Sequence, residues 1–287
     1  MMQDFLFFLG IVLAIFAVWV GSGGPDRPIS FAGPFLTPIS SPTEGANPYG
    51  DPNAFSPIGS DGNTGSAYRG KVSLSRDVSG AMSADPKNEY VVIRLSGAAT
   101  EGVSLVGWKL ASSASNNQAT LPNASELPSS GRVSATGPVT LSPGEEAIVV
   151  TGRSPVGVSF KENRCTGYFE ERQNFSPTLS LACPTPGEEF SNYYDDSDDD
   201  ECEFYVRGMP RCETETKVPD NLSSSCEEFI DEYLNYNGCV AAHKNENGFY
   251  TGTWRLFLGK SDELWRKSRE TILLIDPAGQ TVDALSY

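Results

Sequence analysis

At 287 residues and 39% apolar content, the chain can bury one substantial core and has room for one or two domains. Its formal net charge of −16 argues against a nucleic-acid-wrapping surface, which releases counterions through clustered Lys and Arg. The charge is uneven: between Thr185 and Glu232, sixteen Asp/Glu stand against three Lys/Arg, so the acidity belongs to one segment.

After a short tail (1–4), residues 5–24 carry no charge, and at about 1.5 Å per residue they span roughly 30 Å, the thickness of a bilayer's hydrocarbon. The expectation is a single-pass anchor in contact with lipid. A cleaved signal peptide is the alternative, with Val20-Gly-Ser22 as a small-residue site, although MMQD lacks the usual basic residue. Asp4 on one side and Asp26 with Arg27 on the other do not orient the span. Residues 25–70 are rich in Pro, Gly, Ser and Asn, and they lack the periodic apolar pattern that would offset ordering entropy. They are expected to form a flexible linker.

Residues 71–152 read as strands. Lys71 to Ser75 should open the sheet. In EYVVIRL, Val91, Ile93 and Leu95 alternate with Tyr90, Val92 and Arg94, the period-two signature of a strand with a buried face. Leu105 to Leu110 is predicted as a second strand carrying Trp108, and large apolar groups there require a second sheet to cover them. Ala119 to Pro122 and Pro138 to Leu141 are shorter candidates, and Ser142-Pro-Gly-Glu145 is a turn before Ala147 to Thr151. In residues 254–287, Trp254 to Leu258 is predicted as strand and Ser261 to Arg266 as one helical turn. Ile272 to Ile275, Asp276-Pro-Ala-Gly279 and Val282 to Tyr287 make a closing hairpin.

Taken in order, EYVVIRL, SLVGWKL, LSPGEEAIVV and TILLIDPAGQTVDALSY resemble the lamin tail domain (LTD) family. Thr151 to Gln173 further resembles a bacterial, membrane-anchored subgroup of LTD-containing proteins. The resemblance implies a mainly β fold, an immunoglobulin-like β-sandwich, and covers about half the chain. It does not explain residues 153–253.

That acidic, Cys-rich stretch is predicted to be a helical insertion. Ser224 or Ser225 caps a helix containing Cys226, Phe229, Ile230, Tyr233 and Leu234, and a shorter helix runs from about Asp199 to Arg207. All six cysteines lie here with no Cys-x-x-Cys spacing, which argues for disulfides and an oxidising compartment. If one helix is continuous from Cys226 to Cys239, those two stand about 20 Å apart and do not pair. An antiparallel helical hairpin would then give Cys212–Cys226, Cys202–Cys239 and, by remainder, Cys165–Cys183. This puts the C-terminal domain on the extracytoplasmic side of the membrane.

Candidate chemistry is sparse. His243 is the only histidine, so any triad depends on it, and no Gly-x-Ser-x-Gly elbow occurs. A structurally bonded or surface imidazole is the expectation. Asp196, Asp198 and Asp200 are weak metal candidates at the start of an EF-hand-like spacing, but Glu201 stands where the turn Gly is needed and Arg207 where the bidentate Glu belongs. Trp108, Trp254 and Trp265 are expected in the core rather than on a sugar-stacking platform. The reading is of a cell-surface binding or structural module, not an enzyme, without cofactor. Its partner would be a protein or glycan of the envelope. A calcium-dependent adhesin is the alternative, and a hydrolase lies behind it.

Overall fold

The computed structural model describes residues 65–129, 131, 133–194 and 199–287. Its strands are β1 (Val72–Leu74), β2 (Tyr90–Leu95), β3 (Val103–Ser104), β4 (Lys109–Ser112), β5 (Gln118–Thr120), β6 (Thr140–Leu141), β7 (Glu146–Val150), β8 (Phe160–Asn163), β9 (Tyr250–Phe257), β10 (Thr271–Ile275) and β11 (Thr281–Ser286). Five form a sheet in the order β1-β2-β7-β9-β8, four form a second in the order β11-β10-β4-β5, and β3 pairs with β6. The β7/β9 pair is parallel. Parallel neighbours need a long crossover, and here the whole segment from β8 through the insertion supplies it.

Alternation assigns the faces. In β2, Val91, Ile93 and Leu95 enter the main core, while Tyr90 and Val92 pack on the opposite face. Across the core stand Leu110, Ile272, Leu274, Val282 and Leu285 of the second sheet, so two sheets enclose one hydrophobic interior. β7 is buried on both faces: Ala147 and Val149 join the main core, while Ile148 and Val150 join Phe160, Phe175, Leu179 and Phe257 in another cluster. That is why Ala147 to Val150 is apolar without interruption. Phe175 and Leu179, which cover the outer face, come from the segment after β8.

Three expectations are corrected. Leu105 to Leu110 is not one strand, because Gly107 adopts a positive φ of 78° and turns the chain from β3, which pairs with β6, into β4, which pairs with β10. Trp108 sits at this switch, fully buried. The linker ends before residue 70: Ser66 Oγ donates to Asp276 Oδ2 at 2.7 Å, and the Tyr68 ring lies 5.0 Å from that of Trp108. Ser261 to Arg266 makes no helical turn. Instead the buried Glu89 carboxylate accepts the amides of Leu264 at 2.8 Å and Trp265 at 3.4 Å, holding both side chains over the core.

The closing hairpin forms as predicted, with Asp276 Oδ1 accepting the amides of Ala278 at 3.0 Å and Gln280 at 2.9 Å. The predicted anchor, residues 5–24, lies outside the described residues. Among the described residues, no helix is long and apolar enough to cross a membrane.

Candidate functional site

Strands β8 and β9 run antiparallel, with Asn163 opposite Tyr250, and the Arg164 amide donates to the Phe249 carbonyl at 2.9 Å. The acidic insertion is therefore the tip of a β-hairpin, residues 164–249. It is narrower than the predicted 153–253 because β8 belongs to the sheet.

Four helices build it. α1 (Pro186–Tyr193) starts with a capping box in which Thr185 and Glu188 satisfy each other's backbone amides. This Thr-x-x-Glu signal stands in the sequence, yet the helix was not predicted. α2 (Asp200–Gly208) is capped by Asp199, which accepts the Cys202 amide at 3.0 Å. α3 (Ser224–Tyr233) is capped by Ser223, one residue before the predicted caps, and α4 (Tyr236–His243) by Asn235.

The cysteines pair as Cys165–Cys239, Cys183–Cys212 and Cys202–Cys226. None of the predicted bridges Cys165–Cys183, Cys202–Cys239 and Cys212–Cys226 forms. Those bridges required a continuous helix from Cys226 to Cys239, but the chain breaks at Leu234. Asn235 starts a new helix by accepting the Gly238 amide at 2.9 Å, and Gly238 lies so close to α3 that a Cβ would stand 2.0 Å from the Glu232 carbonyl oxygen. The break lets Cys239 reach Cys165. The hairpin arrangement fails as well, since Cys202 and Cys226 occupy the first turns of α2 and α3, and the two N-terminal ends are stapled together.

His243 is 4% exposed, and both ring nitrogens face carboxylates. Nε2 lies 2.6 Å from Glu189 Oε1 of α1, and Nδ1 lies 2.8 Å from Glu246 Oε1. Arg164 donates to Glu246 Oε2 at 2.6 Å. One row of side chains thus ties α1, α4, the following turn and the end of β8 beside the Cys165–Cys239 bridge. A general base needs a nitrogen directed at a nucleophile, and neither nitrogen is available here. The row acts as a structural clasp.

Burial pushes the Glu189 carboxyl above its usual range, opposed in part by its bond with His243 Nε2, whereas the separate bond with His243 Nδ1 leads in holding Glu246 below. A carboxyl raised by folding contributes stability that is present in full below its unfolded range and lost as pH rises through the raised value. Glu189→Gln removes this titration and keeps an acceptor for His243. As pH rises from the ordinary carboxylate range through the raised value, the wild-type advantage in thermal melts should therefore shrink. An advantage that grows with pH would contradict the assignment.

The metal candidates do not come together. Asp196 and Asp198 lie outside the described residues, and Asp200 is exposed in the first turn of α2. The adjacent Asp199 is committed to structure: Oδ2 accepts the hydroxyls of Ser223 at 2.6 Å and Tyr194 at 2.9 Å, and the Ser223 bond leads in holding its carboxyl below the usual range. Among the described residues, no group of three His, Cys, Asp or Glu could hold a metal. Trp108, Trp254 and Trp265 are at most 5% exposed, so they form core as expected and offer no stacking platform.

What the insertion does present is Phe204, 85% exposed on α2. A groove of about 560 Å³ beside it is lined by Tyr205, Gly208, Met209, Pro210 and Glu215. Another cleft, of about 760 Å³, lies between Pro128, Val133, Val156 and Phe169, and none of the described residues lining it is titratable. Compared with known proteins, the sequence matches no family model, and no curated protein is significantly similar to it.

Proposed function

We propose that this chain is a membrane-anchored cell-surface binding or structural module rather than an enzyme. In this reading an immunoglobulin-like, lamin-tail-like sandwich presents the acidic insertion to a protein or glycan of the envelope. The observation that carries it is the construction of the insertion: three disulfides and four capped helices hold an acidic, Phe204-bearing surface rigidly at the tip of β8 and β9. Ordering such a surface in advance removes entropy that a partner would otherwise have to overcome. Six paired cysteines favour an oxidising compartment, and the lamin-tail assignment rests on the order of its strand and turn motifs. No observation favours the calcium-dependent adhesin.

The test is topological. Intact cells expressing the full chain are treated with a membrane-impermeant amine reagent, and modification of the exposed Lys217 and Lys244 is read by peptide mapping. Both should be modified without lysis. Modification only after lysis would overturn the cell-surface reading.

A further inference from the structure

We propose that the Phe204 groove of α2 binds an arginine-bearing polypeptide segment, with a guanidinium stacked on the exposed ring and paired with the carboxylates around it. The proposal rests on the reading of the chain as a binding module and names the chemistry of the partner.

The surface is built rather than frayed. Cys202 and Val206, on the opposite side of α2, are completely buried, and Cys202 is bridged to Cys226. The helix cannot roll to bring Phe204 inward without breaking that contact. A large aromatic side chain held outward on a stapled helix, next to a groove, is the usual form of an interface anchor.

Charge selects the occupant. Asp200 and Glu201 precede Phe204 by four and three residues and so share its helix face, while Glu215 lines the groove. None of these three carboxylates is ion-paired among the described residues; Glu201 Oε1 accepts from Asn221 Nδ2 at 2.6 Å, and Glu215 accepts from the Tyr205 hydroxyl and the Lys217 amide, each at 3.0 Å, which leaves their negative charge unneutralised. The cation lining the groove is Arg207, and it is bound to Glu203 at 2.7 Å. Among the described residues the groove therefore offers a π face and carboxylates while its lining cation is already paired. Arginine satisfies both, because its planar guanidinium stacks on an aromatic ring while its edge donates to carboxylates; the compact, strongly hydrated lysine ammonium satisfies mainly the charge. Carboxylates on the helix face and at the groove rim suit a polypeptide carrying several arginines better than a single small cation.

The experiment measures binding of fluorescent nona-arginine and nona-lysine peptides to the purified full chain in detergent at about 0.15 M salt, by polarisation. Phe204→Ala should weaken nona-arginine binding about three- to fivefold and nona-lysine binding less than about twofold. Asp200→Lys with Glu201→Lys should weaken both by about tenfold or more. Glu227→Lys with Glu228→Lys, reversing two exposed charges on α3, should change neither by more than about twofold. Phe204 is too exposed for its loss to unfold the domain, and unchanged melting of the variant checks this.

Equal nona-arginine binding by wild type and Phe204→Ala would overturn the proposal. So would an α3 reversal as damaging as the α2 reversal, since binding would then follow general acidity. The measurement uses purified protein, so a domain found on the cytoplasmic face would sink the cell-surface reading and leave this result standing.

Discussion

Replacing Trp108 with alanine should lower the free energy of unfolding by about 3–5 kcal/mol, the usual cost of cutting a buried aromatic side chain to a methyl group. Trp108 is 0% exposed and occupies the point where the chain leaves β3 for β4. Its ring meets Tyr68 from the N-terminal edge of the domain at 5.0 Å, so the cavity would loosen two sheets and the segment that closes them. Trp108→Phe should cost only about 1–2 kcal/mol, because most of the volume stays and a buried indole N–H without a partner among the described residues is removed. Chemical denaturation of both variants checks the pair. Near-zero loss in Trp108→Ala would mean the residue does not support the core.

The second large effect concerns the bridge at the base of the insertion. Cys165 and Cys239 are 74 residues apart in sequence, and a cross-link over a loop of that length is worth roughly 4.5 kcal/mol on chain entropy. The double substitution Cys165→Ser, Cys239→Ser should lower stability by an amount approaching that figure. The loss should be local first: backbone amides of α1 and α4 should exchange faster, while those of β2 and β7 keep most of their protection. The Glu189–His243–Glu246–Arg164 row would then hold the insertion's base without its covalent neighbour. Uniform loss of protection through the sheet would show instead that insertion and sheets unfold as one unit.

The sheets were readable where burial is one-sided and turns are local. In Tyr90 to Leu95 the buried and outward positions alternate as the residue types do, and Asp276 announces the hairpin whose amides it accepts. β8 was not readable, because Lys161 and Glu162 look like surface residues. They are tolerated through distant partners: Lys161 pairs with Glu145 at 2.9 Å between the rings of Tyr250 and Trp254, and buried Glu162 accepts from Arg255. Arg255 also donates to the carbonyls of Pro177 and Thr178, fastening the segment that covers the outer face of the sheet. Such pairings join positions remote in sequence, and no window of residues reveals them. The disulfide pattern was lost at two places: Asn235 starts a new helix where one was expected to continue to Cys239, and α2 and α3 are joined at their N-terminal ends rather than as an antiparallel hairpin. His243 was expected to be structurally bonded or exposed, and its bonding to Glu189 across 54 positions appears only in the fold.

The Cys165–Cys239 bridge also governs how the chain behaves under load. When the chain is pulled from points on either side of the insertion, each residue that becomes extended adds about 3.4 Å of length. The 74-residue loop behind the bridge therefore locks away roughly 250 Å of slack. A tug along the backbone passes from β8 to β9 through sulfur and skips the helices, so they stay folded at forces that open the sheet. In a reducing medium that reserve is released, and the same domain turns from a stiff link into an extensible one.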